Sequence, residues 1–307
     1  MELLLDVLSS FKDKNDNHPK FTLFLNPANP DFEKIKESDF AAYYFEPFTK
    51  TLKKYDNTDK IIDLYNEGIK EDLISIQFHG REHLQFNRWL KDLRVGNKDL
   101  INGFEARFWG FSKSYAPLLD KNYRAAFDVD DSEDLKSQKE AIISGVELIR
   151  NIFDIVPTVF VAPDGPYNLS LNKTLHEAGI KYIGLAKIHR EPLGNSKYAT
   201  KYFWLGKNLK KDGLTIITRN SIFEPNKSEN PDWVLSCMKE IESAFRWKKP
   251  AIISTHRVNY IGTHSSANRD SGLKQLSQLL KEITKRWPDV EFMTSAELGE
   301  LISKRGK

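Results

Sequence analysis

The chain has 307 residues, 40% hydrophobic and 29% charged, an ordinary globular balance whose core is large enough to fold without a disulfide or structural metal. Its net charge of only +3, with acids and bases interleaved, leaves no overall electrostatic footprint for nucleic acid. The single cysteine, Cys237, excludes an internal disulfide framework and fits a reducing compartment. Met1–Asp6 lacks a basic n-region, and no apolar stretch approaches the roughly 20 residues that span a bilayer. A cytoplasmic protein without a membrane span is expected.

Taken in order, short β-branched and aromatic runs alternate with amphipathic helical runs. Leu4–Phe11 reads as a helix and Phe21–Asn26 as a strand. Further strand candidates are Leu73–His79, Ala125–Asp130, Thr158–Pro163, Lys181–Ala186, Leu214–Asn220, Ala251–His256 and Glu291–Thr294. Most are continuous apolar runs, as expected of strands covered on both faces of a parallel sheet. Ser132 opens a helix to Phe153, Asn168 or Ser170 caps one ending at Gly179, and Asp232 opens a third that carries Cys237 on its apolar face. A fourth runs from Arg269 to Trp287, with Leu273, Leu276, Leu280 and Ile283 at helical spacing. Between Tyr202 and Asn220, Lys211-Asp212-Gly213 predicts an antiparallel hairpin. Repeated βα alternation predicts one α/β domain over residues 1–307, a (β/α) barrel-like fold.

In such folds the chemistry collects where strands end. Those positions hold His79, Asp128 and Asp130, Asp164, Arg219 and Asn220, and His256. His79-Gly80-Arg81-Glu82-His83 stands out. Gly80 lets the chain turn off its strand, and His83 would fall in the first turn of the following helix. Two imidazoles four residues apart there lie close enough to share a divalent ion; the plain alternative is one capping and one exposed histidine. His256 closes the most apolar strand and suits a general acid or base, or else a core histidine bonded to backbone. His18, His176, His189 and His264 read as surface residues.

The strand followed by His79-Gly80-Arg81-Glu82-His83, with Ser254-Thr255-His256-Arg257 before an amphipathic helix, resembles the NodB-like polysaccharide deacetylases, a distorted TIM-type barrel family. The resemblance covers nearly the whole chain in order of elements. It implies that His79 and His83 hold a divalent metal, zinc by that family's chemistry, and that His256 protonates the leaving amine. It further implies that Arg81, Asp128, Asp164 and Arg257 support or contact a polysaccharide or glycoconjugate substrate from which an N-acetyl or O-acetyl group is removed. His256 is then expected across one cleft from the histidine pair, with Asp164 orienting it.

Two of the family's motifs are not found. No strand ending in Asp-Asp precedes the first helix, so the barrel is expected to lack its first strand, to expose the edge of Phe21–Asn26 and to lack the third metal ligand and the catalytic base. The arginine expected ahead of the Pro163-Asp164-Gly165 turn is also missing. Low deacetylase activity is the expectation. Two alternatives stand beside it: a non-catalytic carbohydrate-binding barrel using aromatics such as Trp109 and Trp204, and a glycosidase pairing Asp128 or Asp130 with Asp164.

Overall fold

The computed structural model describes residues 1–56, 58–111, 121–263 and 265–305; His264, Gly306 and Lys307 lie outside them. Among the described residues the strands are β1 (Phe21–Leu25), β2 (Ala28–Pro30), β3 (Phe45–Pro47), β4 (Ile74–Phe78), β5 (Val159–Val161) and β6 (Tyr182–Gly184). They continue with β7 (Ile188–Gly194), β8 (Lys197–Tyr202), β9 (Asn208–Leu209), β10 (Leu214–Ile217), β11 (Ser221–Ile222) and β12 (Ile253–Ser254). The main sheet has the order β1-β4-β5-β6-β10-β9. The pairs β4/β5, β5/β6 and β6/β10 are parallel, and β9 joins β10 antiparallel. Every residue of β5 and β10 is buried, which is why both read as unbroken apolar runs. The fold is α/β with barrel-like order; β1 stands at one edge, and no closed barrel forms among the described residues.

The chain divides into two compact units. One comprises Met1–Leu23, Asp59–Ser75 and Thr218–Leu301; the other comprises Phe24–Thr58, Ile76–Ile217 and the chain from Ile302. In the first, the helices Trp233–Arg246 and Ser266–Arg286 pack together, and each buries an apolar stripe, Cys237 and Ile241 on one and Leu276 and Leu280 on the other. Asp232 caps the former by accepting from Leu235 N, as expected from sequence. In the second, Trp89, Phe32 and Phe104 centre an aromatic core, with ring centroids 5.1–6.0 Å apart. The helix Ser132–Phe153 has the expected span, but its N-cap is Asp131, one residue earlier, in a capping box with Asp134.

Two expected strands are absent, for local reasons. Ala125–Asp130 is a chain of turns: Asp128 N bonds Ala125 O, and the Asp128 side chain accepts from Val129 N. Asp residues that bond their own backbone compete with a sheet ladder. In Glu291–Thr294 the backbone donors are taken by side chains, Phe292 N by Asp13 and Thr294 N by Glu297. The expected strand Ala251–His256 shrinks to β12, because Asn220 occupies ladder positions by accepting from Ile252 N and donating to Pro250 O.

The predicted hairpin forms as β9/β10, closed by Gly213 at φ +70°. A second hairpin, β7/β8, was not foreseen. Its loop residues Asn195 and Ser196 both have positive φ, 51° and 58°, the conformation of a type I′ turn, and Gly194-Asn195 was the available signal. His189, expected at the surface, is buried on this hairpin and bonds Tyr167 O at 2.9 Å. No helix among the described residues is long and apolar enough to cross a membrane.

Candidate functional site

His79 directly follows β4, and its Nδ1 lies 2.7 Å from Val161 O at the end of β5. A carbonyl accepts only, so Nδ1 carries the proton and the lone pair of the neutral ring is on Nε2. Gly80 turns the chain with φ +85°; a Cβ there would meet Phe127 at 2.8 Å. His83 is not in the following helix, as the spacing suggested. It lies in the turn before Phe86–Arg94, whose cap is Gln85 accepting from Arg88 N. The two imidazoles nonetheless meet edge to face, with centroids 5.3 Å apart.

Asp164 follows β5 in the turn Ala162–Gly165, closed by Gly165 N to Ala162 O, with Pro163 at the second position and Asp164 at φ +53°. Its Oδ1 is 3.9 Å from His83 Nε2; its Oδ2 accepts from Asn122 at 2.9 Å and lies 3.5 Å from Arg124. Burial pushes the His83 imidazole below the usual histidine range, against the opposing pull of Asp164. The ring is therefore neutral at pH 7, and its Nδ1 is buried without a hydrogen-bond partner.

Arg88 gathers the neighbouring carboxylates. It donates to Asp130 through Nε and Nη2 at 2.9 and 2.7 Å, and to Asp128 at 3.0 Å. Tyr198 Oη lies 3.0 Å from both Asp128 oxygens, so the buried Asp128 is saturated. Asp130 is more exposed, and Arg88 holds its carboxyl below the usual range. Asn122 links the two groups: its carbonyl accepts from Arg88 Nη1 at 2.7 Å while its amide reaches Asp164. Arg81 is buried, bonded in a fork to Glu82 at 2.6 and 2.8 Å and stacked 3.9 Å over Phe45. That geometry commits it to the core.

His256 belongs to the first unit. Its Nδ1 lies 2.5 Å from Glu224 Oε1, and the ring is two-thirds exposed. The partner that orients it is thus Glu224 and not Asp164. Glu224 is buried after β11 and takes a second bond from Asn259 Nδ2 at 2.9 Å. Asn259 is in turn seated because Gly272 offers no side chain; a Cβ there would stand 1.8 Å from Asn259 O. Arg257 is exposed beside His256. Glu224 went unread in the sequence because strand β11 is only two residues long; its signal was a lone Phe223-Glu224-Pro225.

A catalytic zinc needs about three protein ligands. Among the described residues no three His, Cys, Asp or Glu side chains are grouped to hold an ion. The His79/His83 pair by itself does not fit such a centre.

Imidazoles and carboxylates gathered at the strand ends of an α/β fold stand where that class of protein keeps its chemistry. The sequence model of glycosyl hydrolase family 57 matches residues 1–221, and the chain belongs to that family. Among solved structures it is similar to a Mycobacterium smegmatis protein assigned as a polysaccharide deacetylase, at 11% identity and TM-score 0.46, over 99% of this chain and 77% of that one. It is similar to a 4-alpha-glucanotransferase of Thermococcus litoralis at 13% identity and TM-score 0.47, over 96% of this chain and 35% of that one. A Thermococcus kodakaraensis family 57 branching enzyme aligns at 14% identity and TM-score 0.39, over 80% of this chain and 50% of that one. None of the curated proteins matches the chain.

Proposed function

We propose that this chain acts on glycosidic bonds of a polysaccharide or glycoconjugate, with Asp130 and Asp164 as its working carboxylates. The carrying observation is the Asn122 link, which ties Asp164 to the arginine that holds Asp130. Glycosidases divide their work between one ionised carboxylate, as nucleophile or base, and one acid. Arg88 keeps Asp130 ionised and assigns it the first role, which leaves Asp164, joined to it through Asn122, for the second. Asp128 is excluded because it is buried, with Arg88, Tyr198 and Val129 N on its oxygens, whereas Asp130, though held by Arg88, stays part-exposed. The test is release of reducing ends from α-glucan oligosaccharides and other glycans. Asp130→Asn and Asp164→Asn should each abolish it while the protein stays folded, and full activity in either variant refutes the assignment.

A second reading, removal of N-acetyl or O-acetyl groups, is favoured by one observation. His256 presents an exposed ring whose Nδ1 is fixed on the buried Glu224, which leaves Nε2 to take the proton of the attacking water and pass it to a leaving amine. Acetate release from N-acetylated oligosaccharides, with and without added zinc, separates the two readings.

A further inference from the structure

Residues 187–211 hold seven Lys or Arg and a single acid, Glu191, whereas the whole chain is only +3. The hairpin β7/β8 sorts these charges by face. Glu191 points inward, buried, accepting from Leu169 N at 3.1 Å with Lys201 3.6 Å away. His189 and Phe203 are also buried, so the inward face anchors the hairpin to its unit. Lys187, Arg190, Lys197, Lys210 and Lys211 are exposed. So are large rings: Tyr202 is 66% and Trp204 59% exposed, with Ile188, the cross-strand partner of Tyr202, at 61%. Cations stand against the aromatics, Lys207 Nζ 4.4 Å from the Trp204 ring centre and Arg190 4.4 Å from that of Tyr198.

We propose that this outward face binds an acidic polysaccharide, a chain of pyranose rings bearing carboxylate or sulfate groups; the proposal rests on the glycan-directed reading above. Exposed apolar rings in a cluster mark a binding surface more often than a solvated one. The C–H face of a pyranose is apolar and flat, and Tyr202 and Trp204 offer flat partners for it. The Lys207 ammonium beside Trp204 lies where a ring carboxylate or sulfate would fall, Arg190 adds an exposed guanidinium on the same hairpin, and no exposed acid in the segment opposes them. A single-stranded nucleic acid also carries stackable rings and anions. Membership of a glycosyl hydrolase family favours the glycan.

The test is binding by the full chain to alginate or polygalacturonate, to neutral dextran, and to oligothymidylate, measured by calorimetry at low and raised salt. Acidic glycan should bind, neutral glycan should not, and salt should weaken the complex. Trp204→Ala, and separately the combined Arg190→Ala/Lys197→Ala/Lys207→Ala change, should each raise the dissociation constant roughly tenfold. A control Lys274→Ala/Lys281→Ala in the exposed face of Ser266–Arg286 should leave it unchanged. Circular dichroism checks that each variant is folded. Equal binding of dextran, tighter binding of oligothymidylate, or indifference to both hairpin variants overturns the proposal. Because the readout is binding, acidic-glycan affinity without any bond cleavage would remove the glycosidase reading and leave this surface standing.

Discussion

His256 donates from Nδ1 to Glu224 Oε1 across 2.5 Å, joining an exposed imidazole to a fully enclosed carboxylate. The same carboxylate receives Asn259 Nδ2 on its other oxygen, so three residues that are far apart in chemistry form one hydrogen-bonded unit. Replacing Glu224 by Ala leaves the buried Asn259 amide only His256 O at 3.0 Å and the longer contact to Thr255 Oγ1, at a cost of about 1 kcal/mol. Urea unfolding should show that loss. In the wild type, nitrogen chemical shifts should find the His256 proton on Nδ1 in the neutral ring; Glu224→Ala should release that preference.

Gly272 lies beneath the same unit. A methyl group there would collide with Asn259 O at 1.8 Å, a backbone atom that cannot swing aside. Gly272→Ala, normally favourable inside a helix, should instead destabilise by about 1–3 kcal/mol or more. A melting temperature equal to or above wild type would show that the Asn259 turn is not held where it stands.

Arg88 should be the most sensitive charged residue of the second unit. Arg88→Met leaves the buried Asp128 with Tyr198 but no cation, a loss of about 3–5 kcal/mol. Asp130→Asn removes only the more exposed partner and should cost about 1 kcal/mol or less. Equal losses from the two changes would mean that Asp128 is not the group Arg88 is needed for.

Stability should fall on mild acidification. Burial holds the His83 and His189 imidazoles below the ordinary value of about 6.5. As pH drops through about 6.5, the unfolded chain takes up protons that the folded chain still refuses, so stability decreases from there down to the lower folded values. Urea midpoints at about pH 7.5 and about pH 5.5 measure the difference. His83→Gln should narrow it, and a gap of unchanged size would show that His83 titrates normally.

Local pattern carried much of the fold. The buried runs of β5 and β10, the helix from Ser132 to Phe153, the Asp232 cap and the Asp212-Gly213 hairpin are all short-range signals, set by side-chain period and backbone preference. The proximity of His79 and His83 was legible for the same reason, since four residues bound how far two rings can separate. Tertiary structure decided the rest. The aspartates in Ala125–Asp130 bond their own turns and Arg88, and Asp13 and Glu297 capture donors that a strand at Glu291–Thr294 would have used. Such captures join residues up to 279 positions apart, which no periodicity within a window can register. The partner of His256 is of this kind. Glu224 stands 32 residues away in sequence, and it becomes a partner only when β11 and β12 pair and Gly272 admits the Asn259 turn beneath them.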